Sequence, residues 1–188
     1  KIKSLGFEGT PVRWFDSYLS GREQVVELKQ NLEGTERVGR SRPLAIKRGV
    51  PQGSVLGPVL FVLFTADLPK YLGNKSYPIM YADDTVLVTS GNSTEDLDIQ
   101  TFISVSMAQQ YCSNNDLVFN TAKTKYFASG RLSENLTEPP DLERVNTVKH
   151  LGLTLDQCLS WNNHIDYLCS RLSTAIFALK RVKDVVTS

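Results

Sequence analysis

The chain has 188 residues, 41% hydrophobic and 22% charged, a composition that fits one large or two small globular domains and excludes a disordered or fibrous chain. Lys and Arg number 21 against 20 Asp and Glu, a net charge of +1, so bulk charge alone does not mark a nucleic-acid binder. The longest apolar run, residues 59–64, is far short of the roughly 20 residues that cross a bilayer, and no basic stretch plus apolar core marks a signal peptide.

The charges are unevenly spread. Residues 1–50 carry ten Lys/Arg against six Asp/Glu, and residues 51–100 carry two against six. A basic stretch followed by an acidic one suits a site that holds a polyanion through a cation-binding carboxylate cluster; solvated surfaces show the same swings. The three cysteines, Cys112, Cys158 and Cys169, form no C-x-x-C, and no His stands at metal-site spacing. Neither a disulfide framework nor a zinc site is expected, and the setting expected is reducing and intracellular, without a membrane. Sequons at Asn74, Asn92 and Asn135 read as chance matches in that setting. The first residue is Lys1 rather than Met, which reads as processing or as a piece of a longer chain.

In chain order, Thr10-Pro11 predicts an N-cap and first-turn proline, with Val12, Phe15, Tyr18 and Leu19 on one helical face and Gly21 as a stop. Residues 22–28 and 37–46 read as a hairpin around the polar residues 31–36. A Gly/Pro-punctuated loop then runs into a helix over 55–68, with Leu56, Leu60, Leu63 and Phe64 toward the core. Residues 77–82 and 85–89 are strand-like and separated only by Asp83-Asp84, a tight hairpin with two carboxylates at its tip.

Ser93 and Asp96 stand at capping-box-like spacing and open a helix to about residue 112. Its apolar set is Ile99, Phe102, Ile103 and Met107, with Val105 and Ala108 off that face. Residues 117–119, 126–128 and 148–155 read as strands, and residues 129–141, with Pro139-Pro140, as a linker. Ile165, Leu168, Leu172, Ile176 and Leu179 repeat at helical spacing to the C-terminus. The order of elements is α+β rather than a regular βαβ series.

Two segments carry chemistry. Adjacent side chains on a regular strand point to opposite faces, so Asp83 and Asp84 converge only where the chain turns. Two such carboxylates repel each other and resist desolvation. Exposure, a basic partner, or a hard cation such as Mg²⁺ each resolves that conflict. In the second segment, residues 48–58, three glycines and two prolines surround Gln52 and Ser54 immediately before a helix. Glycine lets backbone approach a ligand, and a helix N-terminus favours phosphate; a structural loop uses the same residues. The segment lacks the Gly-Lys-Ser/Thr ending of a P-loop.

Together, Arg48-Gly49-Val50-Pro51-Gln52-Gly53-Ser54-Val55-Leu56-Gly57-Pro58 and the later Tyr81-Ala82-Asp83-Asp84 resemble the palm of reverse transcriptases. More specifically they resemble the RNA-directed DNA polymerase of a jockey-like, non-LTR retrotransposon. Asn120-Thr121-Ala122-Lys123-Thr124 resembles the lysine-bearing motif after the palm helix. His150-Leu151-Gly152-Leu153-Thr154-Leu155-Asp156 resembles the primer-grip segment. Residues 161–181, with Trp161 and His164, resemble the start of the thumb, and Leu5-Gly6 through Trp14, Tyr18-Leu19 and Arg22 resemble the stretch before the glutamine motif.

The resemblance implies a partial palm over 1–130, a linker and primer-grip-like hairpin over 131–158 and the start of a thumb helix over 159–188. It implies nucleotidyl transfer with two Mg²⁺ ions in the full-length protein, on an RNA template, a DNA primer and dNTPs, alongside the remainder of a retrotransposon polyprotein. Asp83 is then a metal ligand and Asp84 the second carboxylate, nearer the primer end. Gln52 and Gly53 would lie against the incoming nucleotide and template base, and Tyr81 and Ala82 beside the primer terminus. Arg48 and Gly152 would meet nucleic acid. Lys123 reads as a catalytic residue that meets the triphosphate and protonates the leaving group, or as a solvated lysine on a strand, and Trp161 as a core or staple residue. The implied location is a cytoplasmic ribonucleoprotein and the nucleus.

One departure matters. Such enzymes have an earlier palm strand with another essential Asp, preceded by a basic fingers region, and residues 1–47 supply neither; Asp16 lies in a helix. The expectation is that this chain alone does not polymerise. Competing readings are a decayed or domesticated, non-catalytic remnant with weak nucleic-acid binding, and a related polymerase such as a group II intron maturase or a telomerase.

Overall fold

The computed structural model describes residues 1–32 and 35–186. The chain divides into two compact units, Lys1–Leu68 with Met80–Thr85, and Pro69–Ile79 with Val86–Ser188. Both mix helices with two-stranded sheets, an α+β organisation as expected.

In the first unit, α1 covers Thr10–Leu19. Its N-cap is Gly9 at φ +65° rather than Thr10, because glycine enters that left-handed conformation without a Cβ clash. Pro11 sits in the first turn, where its missing N–H is not needed. Val12, Phe15, Tyr18 and Leu19 are indeed the half-buried residues of this helix. Strands β1 (Glu23–Gln24), β2 (Glu27–Leu32), β3 (Thr35–Arg40) and β4 (Leu44–Ala45) follow.

The pairs β2–β3 and β1–β4 are antiparallel, with Glu27 opposite Arg40 and Glu23 opposite Ala45. The expected hairpin is present, and its strands reach into the polar stretch assigned to the connection; Glu33 and Gly34 of that connection lie outside the described residues.

The next helix, α2 (Leu56–Thr65), stops short of the expected residue 68, and α3 (Leu68–Leu72) starts separately. Two interactions mark the C-terminal end of α2. The Lys1 ammonium donates 2.7 Å bonds to the Phe64 carbonyl and to Asp67 Oδ1, placing a cation at the helix C-terminus. Thr65 Oγ1 also donates back to the Phe61 carbonyl at 3.0 Å. Of the expected core face, Leu60 is buried, while Leu56, Leu63 and Phe64 are half-buried.

Strands β5 (Tyr77–Tyr81) and β6 (Asp84–Val88) form the next hairpin, and α4 (Thr94–Asn114) is the central helix of the second unit. Its start is as expected: Ser93 Oγ accepts a hydrogen bond from the Asp96 N–H at 3.1 Å. Its core face is not. The buried positions are Ser104, Ala108 and Tyr111, whereas Ile99 and Phe102 are exposed. Small residues on the inner face let neighbouring chain approach closely, and Ser104 Oγ donates to the Lys75 carbonyl at 3.1 Å. Leu72 is wholly buried in this unit, and Tyr71 and Tyr111 pack with ring centres 5.5 Å apart.

The stretch 117–119 is not a strand, because the chain leaves α4 through turns and stays irregular. Strand β7 (Lys125–Tyr126) instead pairs in parallel with β8 (Glu143–Arg144), where Lys125 and Glu143 form an ion pair. The proline-bearing stretch between them is more than a free linker. It holds a short 3-10 turn, Ser133–Asn135, and buries Leu142. Arg144 donates to the Ser133 and Leu136 carbonyls, and the Thr137 N–H donates to Asp98 at 3.0 Å. Strands β9 (Thr147–His150) and β10 (Leu153–Asp156) form an antiparallel hairpin, and α5 (Asn162–Val186) completes the described chain.

Candidate active site

The loop ahead of α2 organises itself through short-range bonds. Gly49 and Gly53 lie at φ +75° and +76°, conformations that side-chain-bearing residues rarely take. Ser54 Oγ donates to the Pro51 carbonyl at 2.8 Å and accepts from the Gly57 N–H at 3.1 Å. Ser54, one residue ahead of the N-cap Val55, thereby ties the loop to the first turn of α2, a role the sequence reading did not give it. At Gly57 an added Cβ would meet Ser54 Oγ at 3.0 Å and Val50 Cγ2 at 3.3 Å, so a larger residue would press these loop side chains outward by a few tenths of an ångström.

A guanidinium N–H of Arg22 donates to the Gly49 carbonyl from 27 residues away. That tie pins the loop to the end of α1 and was also missed, because nothing local signals it. Gln52 and Gly53 are exposed at the loop's outer edge, and nothing lies within 4 Å of where a Gly53 Cβ would stand. Arg48 is likewise exposed.

The tip of the β5–β6 hairpin differs from expectation by one residue. The loop is Ala82-Asp83, not Asp83-Asp84, and Asp84 opens β6. Ala82 sits at φ +52°, a left-handed position for a residue with a Cβ, and is the tip's positive-φ residue. The turn therefore begins one residue early and leaves Asp83 in the loop beside Asp84 at the strand's first position. Both carboxylates are exposed, which is how the repulsion between them is relieved in the free chain. On the flanks Tyr81 is 65% exposed and Val88 43%, while Val86 and Leu87 are half-buried.

Arg48, Gln52, Gly53, Tyr81, Ala82, Asp83 and Asp84 all belong to the first unit. Lys123 and Gly152 belong to the second. Lys123 stands in a turn rather than on a strand: its N–H donates to Asn120 Oδ1 at 3.2 Å and to the Asn120 carbonyl at 3.2 Å, and its side chain is exposed. Gly152 lies at φ +87° in the two-residue loop between β9 and β10, with open space around it.

At the end of β10 the Asp156 carboxylate accepts hydrogen bonds from Ser160 N–H (3.0 Å), Ser160 Oγ (2.8 Å) and Cys158 N–H (3.0 Å). These bonds, those from Ser160 foremost, hold its pKa below the ordinary carboxylate value. They shape a loop in which Leu159 and Trp161 both take positive φ. Trp161 is 45% exposed and packs edge-on to His164, which fits a staple more than a core residue.

A metal test can be made on the donor set. Among the described residues no group of three or more His, Cys, Asp or Glu gathers to hold an ion. Asp83 and Asp84 are adjacent, exposed oxygen donors, and Mg²⁺ commonly binds through one or two carboxylates plus waters and substrate phosphates. The pair fits that mode and does not form an all-protein cage.

Comparison with known proteins bears on this arrangement. Residues 1–155 match the family model described as reverse transcriptase (RNA-dependent DNA polymerase). The chain is 34% identical over 180 residues to a probable RNA-directed DNA polymerase from transposon BS of Drosophila melanogaster, covering 88% of this chain and 18% of that protein. It is 28% identical over 170 residues to the corresponding protein of transposon X-element from the same species, covering 85% and 18%. It is 28% identical over 150 residues to the RNA-directed DNA polymerase from mobile element jockey of Drosophila funebris, covering 73% and 16%. The chain thus spans less than a fifth of the length of these relatives. No solved structure gives a significant match.

Proposed function

The chain belongs to the reverse transcriptase (RNA-dependent DNA polymerase) family, and we propose that it contributes part of the palm and the start of the thumb to the polymerase of a jockey-like, non-LTR retrotransposon. Its reaction is templated nucleotidyl transfer, with RNA as template, a DNA primer and dNTPs as substrates, inside a longer polyprotein. The observation that carries this reading is the carboxylate pair at a hairpin tip together with the glycine-bearing Gln52 loop, both in one unit and both inside the matched residues.

In this reading Asp83 and Asp84 would hold Mg²⁺. When bound, two such ions activate the primer 3′-hydroxyl and neutralise the triphosphate. The protein's own part is positional. The Ala82 turn fixes the Asp83 carboxylate at the tip, and the open Gly53 edge admits a nucleotide against backbone while Gln52 faces its base. Tyr81 and Ala82 flank the primer terminus, and Arg48 meets the backbone phosphates. Lys123, fixed by the Asn120 turn, would meet the triphosphate, and the open Gly152 loop would meet the primer backbone. In this reading the palm covers 1–130, the linker and hairpin 131–158 and the thumb start 159–188.

The test is primer extension on an RNA template by a protein of the relatives' full length carrying these 188 residues. Asp83→Ala is expected to reduce nucleotide incorporation to background and leave template affinity nearly unchanged, since the carboxylate serves metal rather than phosphate. Incorporation by the variant near the unmodified rate would remove the assignment.

A further inference from the structure

We propose that the β2–β3 hairpin and the chain leaving it form a contact surface for the phosphate backbone of a nucleic acid, carried by Arg37, Arg42 and Lys47. The proposal rests on the polymerase reading above and adds a binding surface to it.

From Arg37 to Arg48 the chain holds five cationic residues and no acidic one, and the next acidic residue is Asp67. Residues 36–45 are exposed throughout, as are residues 23–31 of the opposing arm. The acids of β2 and β3 among the described residues, Glu27 and Glu36, are already committed on one face. Glu27 pairs with Arg40 directly across the strands at 2.7 Å, and Glu36 pairs with Lys29 at 3.4 Å. Residues two apart share a face, so Arg37 stands on the other face of β3 from Arg40, opposite Gln30.

Among the described residues, the side chains of Arg37, Arg42 and Lys47 make no ion pair or hydrogen bond. Arg37 on the exposed hairpin, with Arg42 and Lys47 on the exposed chain leaving it, gives a local positive field despite the chain's near-zero net charge. Their position is not neutral either. The same run leads into Gly49, whose carbonyl is tied by Arg22, and on to Gln52 and Gly53. A backbone held by this ribbon would therefore be led to the loop that meets the nucleotide.

Leu28 is 71% exposed on the Arg37 face, which would also suit a protein partner. The charge decides between the two, since a run of cations without a single acid is costly to bury against an ordinary protein surface and favourable against phosphates.

The experiment measures binding of the 188-residue chain to a fluorescently labelled RNA–DNA duplex across a KCl series. The hairpin triple variant is Arg37→Glu, Arg42→Glu, Lys47→Glu, and the charge-matched control is Lys3→Glu, Lys70→Glu, Lys180→Glu. The hairpin variant is expected to lose about 100-fold in affinity at low salt and to flatten the log–log salt slope by about two to three, while the control loses under about 5-fold.

As a check that does not depend on the variants' folding, bound duplex should protect Lys47 of the unmodified chain from acetylation and leave Lys180 reactive. Equal losses in the two triples, or an unprotected Lys47, would overturn the surface while the polymerase reading stands. No duplex binding by the unmodified chain would likewise overturn the surface, while the polymerase reading stands or falls on primer extension by the full-length protein. Displacement of the duplex by poly-glutamate at equal charge would reassign the surface to acidic protein segments.

Discussion

Among the described residues two hairpins close with two-residue loops, and they solve the same problem differently. Between β9 and β10 the loop is Leu151-Gly152, with φ of +48° and +87°. Both residues are left-handed, the pattern whose twist matches that of the flanking strands, and glycine carries one of the two positions at no steric cost. Between β5 and β6 the loop is Ala82-Asp83, and the left-handed residue is Ala82 at φ +52°, with no glycine to take it. The first turn is half written in its own residues: Gly152 takes its position freely, while Leu151 at φ +48° carries a local cost of the same kind as Ala82. The second is held by its surroundings against a local cost of about 1–2 kcal/mol. Strain of that kind persists where the rest of the structure over-determines it, and here it sits immediately before the two carboxylates.

The contrast can be broken by substitution, read as urea unfolding of the 188-residue chain. The largest effect belongs to Ala82→Val. A β-branched residue tolerates φ +52° worse than alanine does, and the expected loss is about 2–3 kcal/mol. The companion Ala82→Gly should be neutral or stabilise by up to about 1 kcal/mol, because release of strain competes with greater freedom in the unfolded chain. If both substitutions cost the same, the turn is not strained. Next comes Gly152→Ala, with an expected loss of about 1–2 kcal/mol; nothing lies within 4 Å of the added methyl, so the loss would be conformational alone. Leu151→Asn should move the other way by about 0.5–1 kcal/mol, since Asn-Gly is the pair this loop favours.

The same contrast explains what could be read from the sequence. The Asp83-Asp84 doublet between two β-rich runs located a hairpin tip, and glycine spacing located the Gln52 loop, because both signals are local. The tip was misplaced by one residue because nothing in the identity of alanine announces φ +52°. The hairpin over 22–46 and the start of α4 at Ser93 were legible for the same local reason.

The inner face of α4 was not. Bulk apolar residues pointed to Ile99 and Phe102, yet the core lies on Ser104, Ala108 and Tyr111. Ile99 and Phe102 instead line a groove of about 390 Å³ with Pro139 and Pro140. The tie from Arg22 to Gly49 and the pinning of the proline-bearing stretch by Asp98 and Arg144 also escaped, since each joins residues that sequence order keeps apart.

The smallest expected effect concerns the loop that follows the glycine-bearing hairpin. Asp156 accepts from Ser160 and Cys158, and those bonds hold its carboxyl below its ordinary value of 3.8. The ionised form is therefore favoured in the folded chain. Well above that ordinary value the carboxylate is charged in both states, and its contribution to stability is fully present. As pH falls through it, the unfolded chain takes up the proton first, and the contribution is lost until the folded group protonates as well.

Stability of the unmodified chain should thus fall between about pH 5 and about pH 3 by more than that of Asp156→Asn, which has no proton to gain there. Asn keeps an acceptor oxygen and some of the loop's bonds, so the two urea midpoints should differ most near neutral pH and converge on acidification. Parallel curves across that window would mean that the bonds to Ser160 shape the loop without favouring the charged carboxylate, and the geometry of residues 156–161 would then rest on the backbone alone.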